Sequence, residues 1–199
     1  MAGGLMVNIA VEGELDEVVL KKVLTSIDIK VANIYGKGGK DKLKENVYRY
    51  NQAPHHGRWV ILVDLNNESE CPPPFLNSWL PIRNQNLQLR VAVRAVEAWL
   101  LADRIEMARF LSVSEKQIPF HPESETNPKR TLINISRHSR SKMIREDIVP
   151  KEGSTARQGP AYTTRLIEFT MNYWKPERAA QYAPSLERSV RSLLHWKMS

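Results

Sequence analysis

The sequence is poor in cysteine and has no long apolar run. Only one of its 199 residues, Cys71, is a cysteine, so no disulfide can form within the chain. A chain without disulfides suits a reducing compartment, and we expect a cytoplasmic protein. No stretch approaches the roughly 18 apolar residues of a membrane-spanning helix, and the first residues lack the pattern of a secretory signal peptide. We therefore expect no membrane partner.

Zinc sites built from cysteine and histidine are not expected either. The five histidines show no ligand spacing with Cys71, whereas structural zinc sites need clusters of such residues. His55 and His56 lie between Pro54 and Gly57. Proline and glycine favour turns, so we predict a surface turn there rather than a pair of metal ligands.

The positive charge of the chain is concentrated in one segment. Residues 1–100 hold 12 basic and 11 acidic side chains, and residues 101–199 hold 17 and 11. Within residues 129–157, the basic segment, eight basic residues face three acidic ones, which accounts for +5 of the total +7. Such a segment favours a polyanionic partner, and a solvated loop face is the alternative. Because the segment has no aromatic residue, we expect contacts to a nucleic-acid backbone rather than to bases.

Short apolar runs alternate with helical patterns in the first half of the chain. We predict strands at 7–11, 28–35 and 59–63, with helices around 18–24 and 41–50 between them. The run 59–63 is almost continuously apolar, which is typical of a strand buried on both faces of a parallel sheet. A fourth strand at 87–94 follows a proline-rich loop and precedes a helix at 97–102. This order predicts an α/β fold with a parallel βαβαβ sheet flanked by helices.

The second half has a different composition. Residues 112–160 are polar and rich in proline, which favours loops with one short helix at 130–144, and further helices are expected over 162–174 and in the tail. We predict a single domain over 1–199, with a sheet core at 5–105 and a mostly helical, basic extension at 106–199. We expect Asp103 to cap the helix 104–111.

Two acidic residues follow strands of the predicted sheet. Glu12 comes directly after the first strand and Asp64 directly after the third. Functional groups collect at the carboxyl ends of parallel strands, so the two carboxylates share one edge if their strands are neighbours, close enough to hold Mg²⁺. Alternatively, Glu12 is a loop carboxylate and Asp64 belongs to an Asx turn or cap. We interpret Glu14, Asp16 and Glu17 as charges at a helix N-terminus.

The residues around these carboxylates resemble the Toprim domain of topoisomerases, bacterial primases and OLD-type nucleases. Val11-Glu12-Gly13 follows one hydrophobic strand and Val63-Asp64-Leu65-Asn66 ends a later one, within a resemblance over roughly residues 5–105. It implies that Glu12 and Asp64 bind Mg²⁺ or Mn²⁺ and act on a phosphodiester. Asn66 stands where the family has a second aspartate. An amide adds no negative charge, which weakens metal binding unless Glu68 or Glu70 compensates.

Two further residues enter through the resemblance to small stand-alone bacterial Toprim-like proteins and OLD-type nucleases. Glu97 lies at the fourth strand-to-helix junction, and those nucleases use additional carboxylates for a second metal. Lys129 follows Asn127-Pro128 on a rigid turn. The same nucleases employ a lysine outside the core motif, where it could offset charge on the phosphate in the transition state. The alternatives are an ion pair between Glu97 and Arg94 and, for Lys129, a plain exposed lysine.

Other basic residues are candidates for phosphate binding. The stretch Gly36-Lys-Gly-Gly-Lys40 is not a Walker A motif, because its spacing differs and Asp41 follows the lysine. Such a turn can still hold a phosphate at a helix N-terminus, and a plain turn is the alternative. The phosphate-binding candidates are Lys37, Lys40, Arg94, Arg130, Arg137 and Arg140.

These patterns lead to two hypotheses of function. The first is a Mg²⁺- or Mn²⁺-dependent phosphodiesterase acting on DNA or RNA in bacterial defence or repair, with a companion ATPase as a candidate partner. Its catalytic residues would be Glu12, Asp64, Glu97 and Lys129, and Asn66 would join the three carboxylates as metal ligands. The second hypothesis is a catalytically silent module that binds nucleic acid or a partner protein, and the asparagine at position 66 favours it.

Overall fold

Four strands form one parallel sheet in a computed structural model that describes residues 5–53 and 57–199. They are β1 (Met6–Val11), β2 (Lys30–Gly36), β3 (Arg58–Asp64) and β4 (Leu87–Ala92), in the spatial order β2-β1-β3-β4. Each pair of neighbouring strands runs parallel. The predicted α/β class with a helix-flanked parallel sheet is thus confirmed. The turn predicted at His55-His56 lies outside the described residues.

Helices connect and follow the strands. The α-helices of the described residues are α1 (Glu14–Ser26), α2 (Lys40–Gln52), α3 (Pro72–Trp79), α4 (Val96–Ala102), α5 (Arg104–Leu111), α6 (Pro128–Arg137), α7 (Lys142–Ile148), α8 (Tyr162–Asn172), α9 (Pro176–Ala179) and α10 (Pro184–Met198). Two short 3-10 turns, Glu115–Gln117 and Pro122–Ser124, join α5 to α6. Within the described residues, no helix is long and apolar enough to cross a membrane.

The sheet separates two apolar clusters because alternate residues of a strand point to opposite faces. In β3, Val60 and Leu62 belong to the cluster on one face, and Ile61 and Val63 belong to the other. Helices α1, α4 and those of the C-terminal half contribute to the first cluster, whereas α2 and α3 contribute to the second. All four side chains are fully buried, as the almost continuous apolar run predicts for a central parallel strand.

The C-terminal helices share the core of the sheet rather than forming a separate one. Trp99 in α4 donates its indole N–H to Ser185 Oγ at 2.7 Å, and Trp174 donates to the carbonyl of Trp99 at 3.1 Å. Both indoles are fully buried. Buried indoles need such partners because an unpaired donor is costly in an apolar core. These bonds fix the extension against the helix that leaves β4.

The loop predicted before β4 is wrong, and in the region 112–160 two helices form where one was predicted. The proline-rich stretch before β4 forms α3, with Pro72 at its start, and the polar region 112–160 contains α6 and α7. The helix predicted at 130–144 is divided between these two. Proline is tolerated in the first turn of a helix, where its missing N–H has no intrahelical acceptor. Pro72 and Pro128 therefore start helices instead of preventing them.

The capping prediction for Asp103 is also wrong. Asp103 precedes α5, but its side chain makes no cap hydrogen bond. Its buried carboxylate instead accepts hydrogen bonds from the backbone N–H of Lys175 at 3.0 Å and from Arg178 Nη2 at 2.7 Å. A buried carboxylate is stabilised by a charged and hydrogen-bonded partner, so tertiary contacts take precedence over the local cap.

Candidate active site

The pairing of β1 with β3 brings Glu12 and Asp64 together. Glu12 directly follows β1, and Asp64 is the last residue of β3. The backbone N–H of Asp64 donates to Glu12 Oε1 at 2.8 Å, so the two residues contact each other at the carboxyl end of the sheet. The expectation that they share one edge is confirmed, and this bond orients the Glu12 side chain.

Glu97 joins them from the start of α4. The backbone N–H of Val96 donates to Asp64 Oδ1 at 3.0 Å, and the hydroxyl of Tyr162 donates to Glu97 Oε1 at 3.2 Å. Glu97 is 1% exposed and Asp64 4%. The alternative ion pair with Arg94 is not among the salt bridges of the described residues. Helix α4 thus places Glu97 beside the ends of the two central strands.

Lys129 reaches the same place from the basic segment. It lies in the first turn of α6, after Asn127, whose side chain accepts the N–H of Arg130 at 3.0 Å, and after Pro128. Its Nζ is 4.0 Å from Asp64 Oδ2 and 3.8 Å from Glu97 Oε1. The side chain is half exposed. The turn predicted at Asn127-Pro128-Lys129 is a helix start, and through it the basic segment contacts the carboxylates.

A fourth acid, Asp16, lies near these residues, although its place in the sequence predicts only a charge at a helix N-terminus. It is 8% exposed, and its negative charge raises the pKa of Asp64. A signal for it exists in the sequence, because Asp16 is in phase with Val19, Leu20 and Val23 on the buried face of α1. An aspartate is rarely buried unless it has a partner, so its place on this face distinguishes it from Glu14 and Glu17. We call Glu12, Asp16, Asp64 and Glu97 the carboxylate edge.

Burial and mutual repulsion make these acids weaker than usual. Burial raises the pKa of Asp64 well above its ordinary value, and the charges of Asp16 and Glu97 raise it further. Burial also raises the pKa values of Glu12 and Glu97, and burial together with the charge of Glu97 raises the pKa of Asp16 to about 6. The pKa of Lys129 is raised, chiefly by Glu97. The ammonium groups of Lys40 and Lys129 offset only part of this effect on Glu12, so additional positive charge would stabilise the ionised forms of these acids.

Three of these carboxylates share one pattern of hydrogen bonding. Glu12, Asp64 and Glu97 each use one oxygen to accept a hydrogen bond from the protein. Within the described residues, the second oxygen of each accepts none, and Glu97 Oε2 is buried without a partner. Metal-binding carboxylates are commonly oriented in this way through their other atoms. Carboxylate oxygens are also the ligands that Mg²⁺ prefers, so the donor set fits a hard divalent cation.

The ligands are not already gathered around one point. Across residues 5–53 and 57–199, no three His, Cys, Asp or Glu side chains stand in an arrangement that could hold a metal ion. The ammonium of Lys129 lies close to both Asp64 and Glu97. Binding of a cation would therefore require the side chains of this edge to move closer together.

Two of the phosphate-binding candidates, Lys37 and Lys40, already form ion pairs. Lys37 forms an ion pair with Glu17 at 2.9 Å. Lys40 donates to the backbone carbonyl of Asp64 at 2.6 Å and forms an ion pair with Glu68. Lys40 therefore lies beside the carboxylate edge and also contacts the end of β3. Glu68 forms its ion pair with Lys40. The structure therefore does not show Glu68 supplying the negative charge that Asn66 lacks.

Asn66 and Arg94 contact each other rather than the carboxylates. The N–H of Asn66 donates to the Arg94 carbonyl at 2.7 Å, and Arg94 Nη1 donates to the Asn66 carbonyl at 3.0 Å. Both have left-handed backbones, with φ of 52° and 62°, which costs free energy for residues other than glycine. In the described part of the chain, the side-chain amide of Asn66 makes no hydrogen bond. The pair joins the loops that follow β3 and β4.

The remaining candidates divide between a cleft and open surface. Arg130 and Arg137 line a cleft of about 460 Å³ together with Lys129 and Arg157. Arg157 was not singled out in the sequence, where nothing separates it from other charges of the basic segment. Arg140 is exposed and does not line this cleft. We call this feature the basic cleft.

Comparison with protein-family models, with curated proteins and with solved structures finds no match for this chain.

Proposed function

We propose that this protein is a Mg²⁺- or Mn²⁺-dependent phosphodiesterase acting on nucleic acid. The observation that carries the proposal is the convergence of Glu12, Asp64 and Glu97, each with one oxygen held by the protein and one without a hydrogen bond, beside the ammonium of Lys129. Carboxylates next to a cation and a basic surface suit a phosphodiester, which needs charge neutralisation during hydrolysis.

Glu12, Asp64 and Glu97 would hold the metal ion, with Asp16 close by. A divalent metal in such a site polarises the phosphate and lowers the pKa of bound water. The three N–H and O–H donors from Asp64, Val96 and Tyr162 keep the carboxylates oriented. Each of these hydrogen bonds uses one oxygen and leaves the second for the cation, which the side chains would reach by moving closer together.

Lys129 would neutralise negative charge on the phosphate. Its ammonium lies between the carboxylate edge and the basic cleft, because it contacts Asp64 and Glu97 and also lines the cleft. A lysine there stabilises developing charge without a further rearrangement of the backbone. Its raised pKa keeps it protonated at neutral pH.

A cleavage assay tests this function. The purified protein is incubated with labelled single- and double-stranded DNA and RNA in Mn²⁺, Mg²⁺ or EDTA. We expect cleavage that needs the metal and is lost in Glu12→Gln and in Glu97→Gln. Glu14→Gln is the matched control, because Glu14 is exposed and only two residues from Glu12. No cleavage by the wild type, or equal cleavage by Glu12→Gln, would remove the proposal.

The second candidate is a catalytically silent binding module. It is favoured by the lack, among the described residues, of a ready-made metal-ligand group, and by Asn66, whose backbone is paired with Arg94. Tight binding of oligonucleotides without cleavage under any metal condition would support it. A cytoplasmic location, a companion ATPase and a role in bacterial defence or repair stay predictions.

A further inference from the structure

The basic cleft lies between two different parts of the C-terminal half. One wall is α6, which contributes Arg130, Asn134 and Arg137, and the other is the segment after α7, which contributes Pro150 and Arg157. The volume enclosed is about 460 Å³. It opens next to Lys129, which lines the cleft and contacts the carboxylate edge.

The second wall is a loop tied at its base. The N–H of Gly159 donates to the Ile148 carbonyl at 2.9 Å, and the N–H of Ala161 donates to the Asp147 carbonyl at 2.9 Å. A Cβ at position 159 would come within 2.4 Å of the Asp147 carbonyl oxygen, so only glycine permits this approach. The loop 149–158 is thereby held against α7, which positions Arg157 opposite α6.

Among the described residues, the three arginines of the cleft have no acidic partner, whereas Lys129 contacts Asp64 and Glu97. Within the described residues, Arg130, Arg137 and Arg157 form no salt bridge, and each charged residue lining the cleft is a cation. Nearby acids are already paired, since Asp147 binds Arg165 at 2.7 Å and Glu146 lies 3.6 Å from Lys142. Unpaired guanidinium groups on two facing walls repel each other unless an anion lies between them.

We infer that the basic cleft binds the sugar-phosphate backbone of a single-stranded polynucleotide that extends from the phosphate at the carboxylate edge. This inference rests on the proposed function, in which the phosphate at the carboxylate edge is the phosphodiester that is cleaved. Arg130 and Arg137 are seven residues apart on a helix, which corresponds to about 10 Å. A strand running along α6 therefore meets several cations in succession.

The shape and lining of the cleft select a single strand. A single strand exposes its backbone on every side, so both walls can contact it, whereas each backbone of a duplex is flanked by base pairs and the second strand. Among the residues that the structure describes, no aromatic side chain lines the cleft, so we expect that bases are not held by stacking. Binding is then sequence-tolerant and electrostatic, with a salt dependence of about −0.7 in log K per neutralised phosphate. Four cations predict a slope near −2.8 by the same relation.

Binding is measured with the full chain in EDTA, so that no cleavage occurs. Fluorescence anisotropy follows a labelled 20-nucleotide oligo(dT), an oligo(U) of equal length, and a duplex, over a series of salt concentrations. We expect the single strands to bind more tightly than the duplex. Arg157→Gln and Arg137→Gln should each weaken binding about fivefold at 0.1 M salt and reduce the slope by about 0.7.

Arg140→Gln is the matched control, because Arg140 is exposed, lies in the same basic segment and does not line the cleft. We expect it to bind within twofold of the wild type. Tighter binding of the duplex, or an Arg140→Gln effect equal to that of Arg157→Gln, would overturn the inference, because both indicate general surface charge.

The two proposals fail separately. If Arg137 and Arg157 govern single-strand binding while the protein never cleaves, the inference is supported and only the proposed phosphodiesterase fails. If metal-dependent cleavage is lost in Glu12→Gln but binding is unaffected at both arginines, the proposed function stands and the cleft inference is overturned.

Discussion

The carboxylate edge and the basic cleft meet at Lys129 but are built in opposite ways. The edge contains acids that are buried or half-buried, and three of them are each held by a specific N–H or O–H donor. The cleft contains exposed guanidinium groups without salt bridges in the described part of the chain. The free energy of a buried charge depends strongly on its exact contacts, because electrostatic interactions are stronger where water is excluded. Exposed charges act additively, since water screens them. We therefore expect single substitutions at the carboxylate edge to change cleavage and stability strongly. Each substitution in the basic cleft should reduce nucleic-acid affinity by a smaller, similar step.

Asp64→Asn should have the largest effect on activity. Asparagine keeps an acceptor for the N–H of Val96 but removes a negative charge, so metal-dependent cleavage should fall about 1000-fold. The metal-free protein should become more stable, because repulsion with Asp16 and Glu97 is relieved. Cleavage rates and urea unfolding in EDTA measure the two effects. A variant that loses both activity and stability would contradict the view that the edge holds repelling charges.

Lys129→Met tests the residue that links the two regions. Loss of the ammonium should reduce the cleavage rate about 100-fold at saturating metal. Affinity for Mn²⁺ should rise at the same time, because a cation near Asp64 and Glu97 is removed. Calorimetric titration with Mn²⁺ and single-turnover rates separate these effects. Lys142→Met, an exposed lysine of the basic segment, is the control, and an unchanged rate in Lys129→Met would rule out a role for the ammonium.

The pH dependence of stability tests the desolvation of the edge. The pKa of Asp16 is raised from 3.8 to about 6 in the folded protein, so the folded state holds this proton more tightly than the unfolded chain. The resulting stabilisation is complete below pH 3.8 and is lost as the pH rises through 6. The free energy of unfolding should thus fall by about 2 kcal/mol over this window without metal.

Urea unfolding of the wild type and of Asp16→Asn in metal-free buffer between pH 4 and pH 7.5 measures this loss. The variant should show a flatter profile, because the amide does not titrate. Saturating Mg²⁺ should restore stability to the wild type at neutral pH. Identical profiles for the two proteins would place the Asp16 carboxylate in a solvated environment.

Tyr162→Phe should have the smallest effect of the series. It removes only the hydroxyl that donates to Glu97 Oε1 at 3.2 Å, which corresponds to about 1–1.5 kcal/mol. Mn²⁺ affinity should fall about tenfold, while the rate at saturating metal changes little. Tyr173→Phe is the control, because Tyr173 is exposed and directly follows the C-terminal end of α8, whereas Tyr162 is the first residue of that helix. A lower rate at saturating metal would give Tyr162 a role beyond positioning.

Most of the sheet could be predicted from the sequence, and part of the site could be as well. The run Trp59–Val63 predicts a central strand, because it is short and almost continuously apolar. Glu12 and Asp64 come at the carboxyl ends of their strands, so the pairing of β1 with β3 brings them to one edge. The sequence predicts a loop in place of helix α3, and the bounds predicted for α6 are wrong. In a sequence, a proline that begins a helix cannot be distinguished from one that prevents a helix. Asp16 was missed because its position in the chain is that of an ordinary N-terminal charge.

The sequence by itself determined the α/β class, the alternation of buried strands and helices, and the concentration of positive charge in residues 129–157. These features depend on periodicity and composition, which are local properties of the chain. Only the tertiary structure decided that Lys129 meets Glu97, that Asp16 is buried among acids, and that Arg157 faces Arg137 across a cleft. Such contacts join residues far apart in the chain. They follow from packing of the C-terminal helices on the sheet, and neither spacing nor composition encodes them directly.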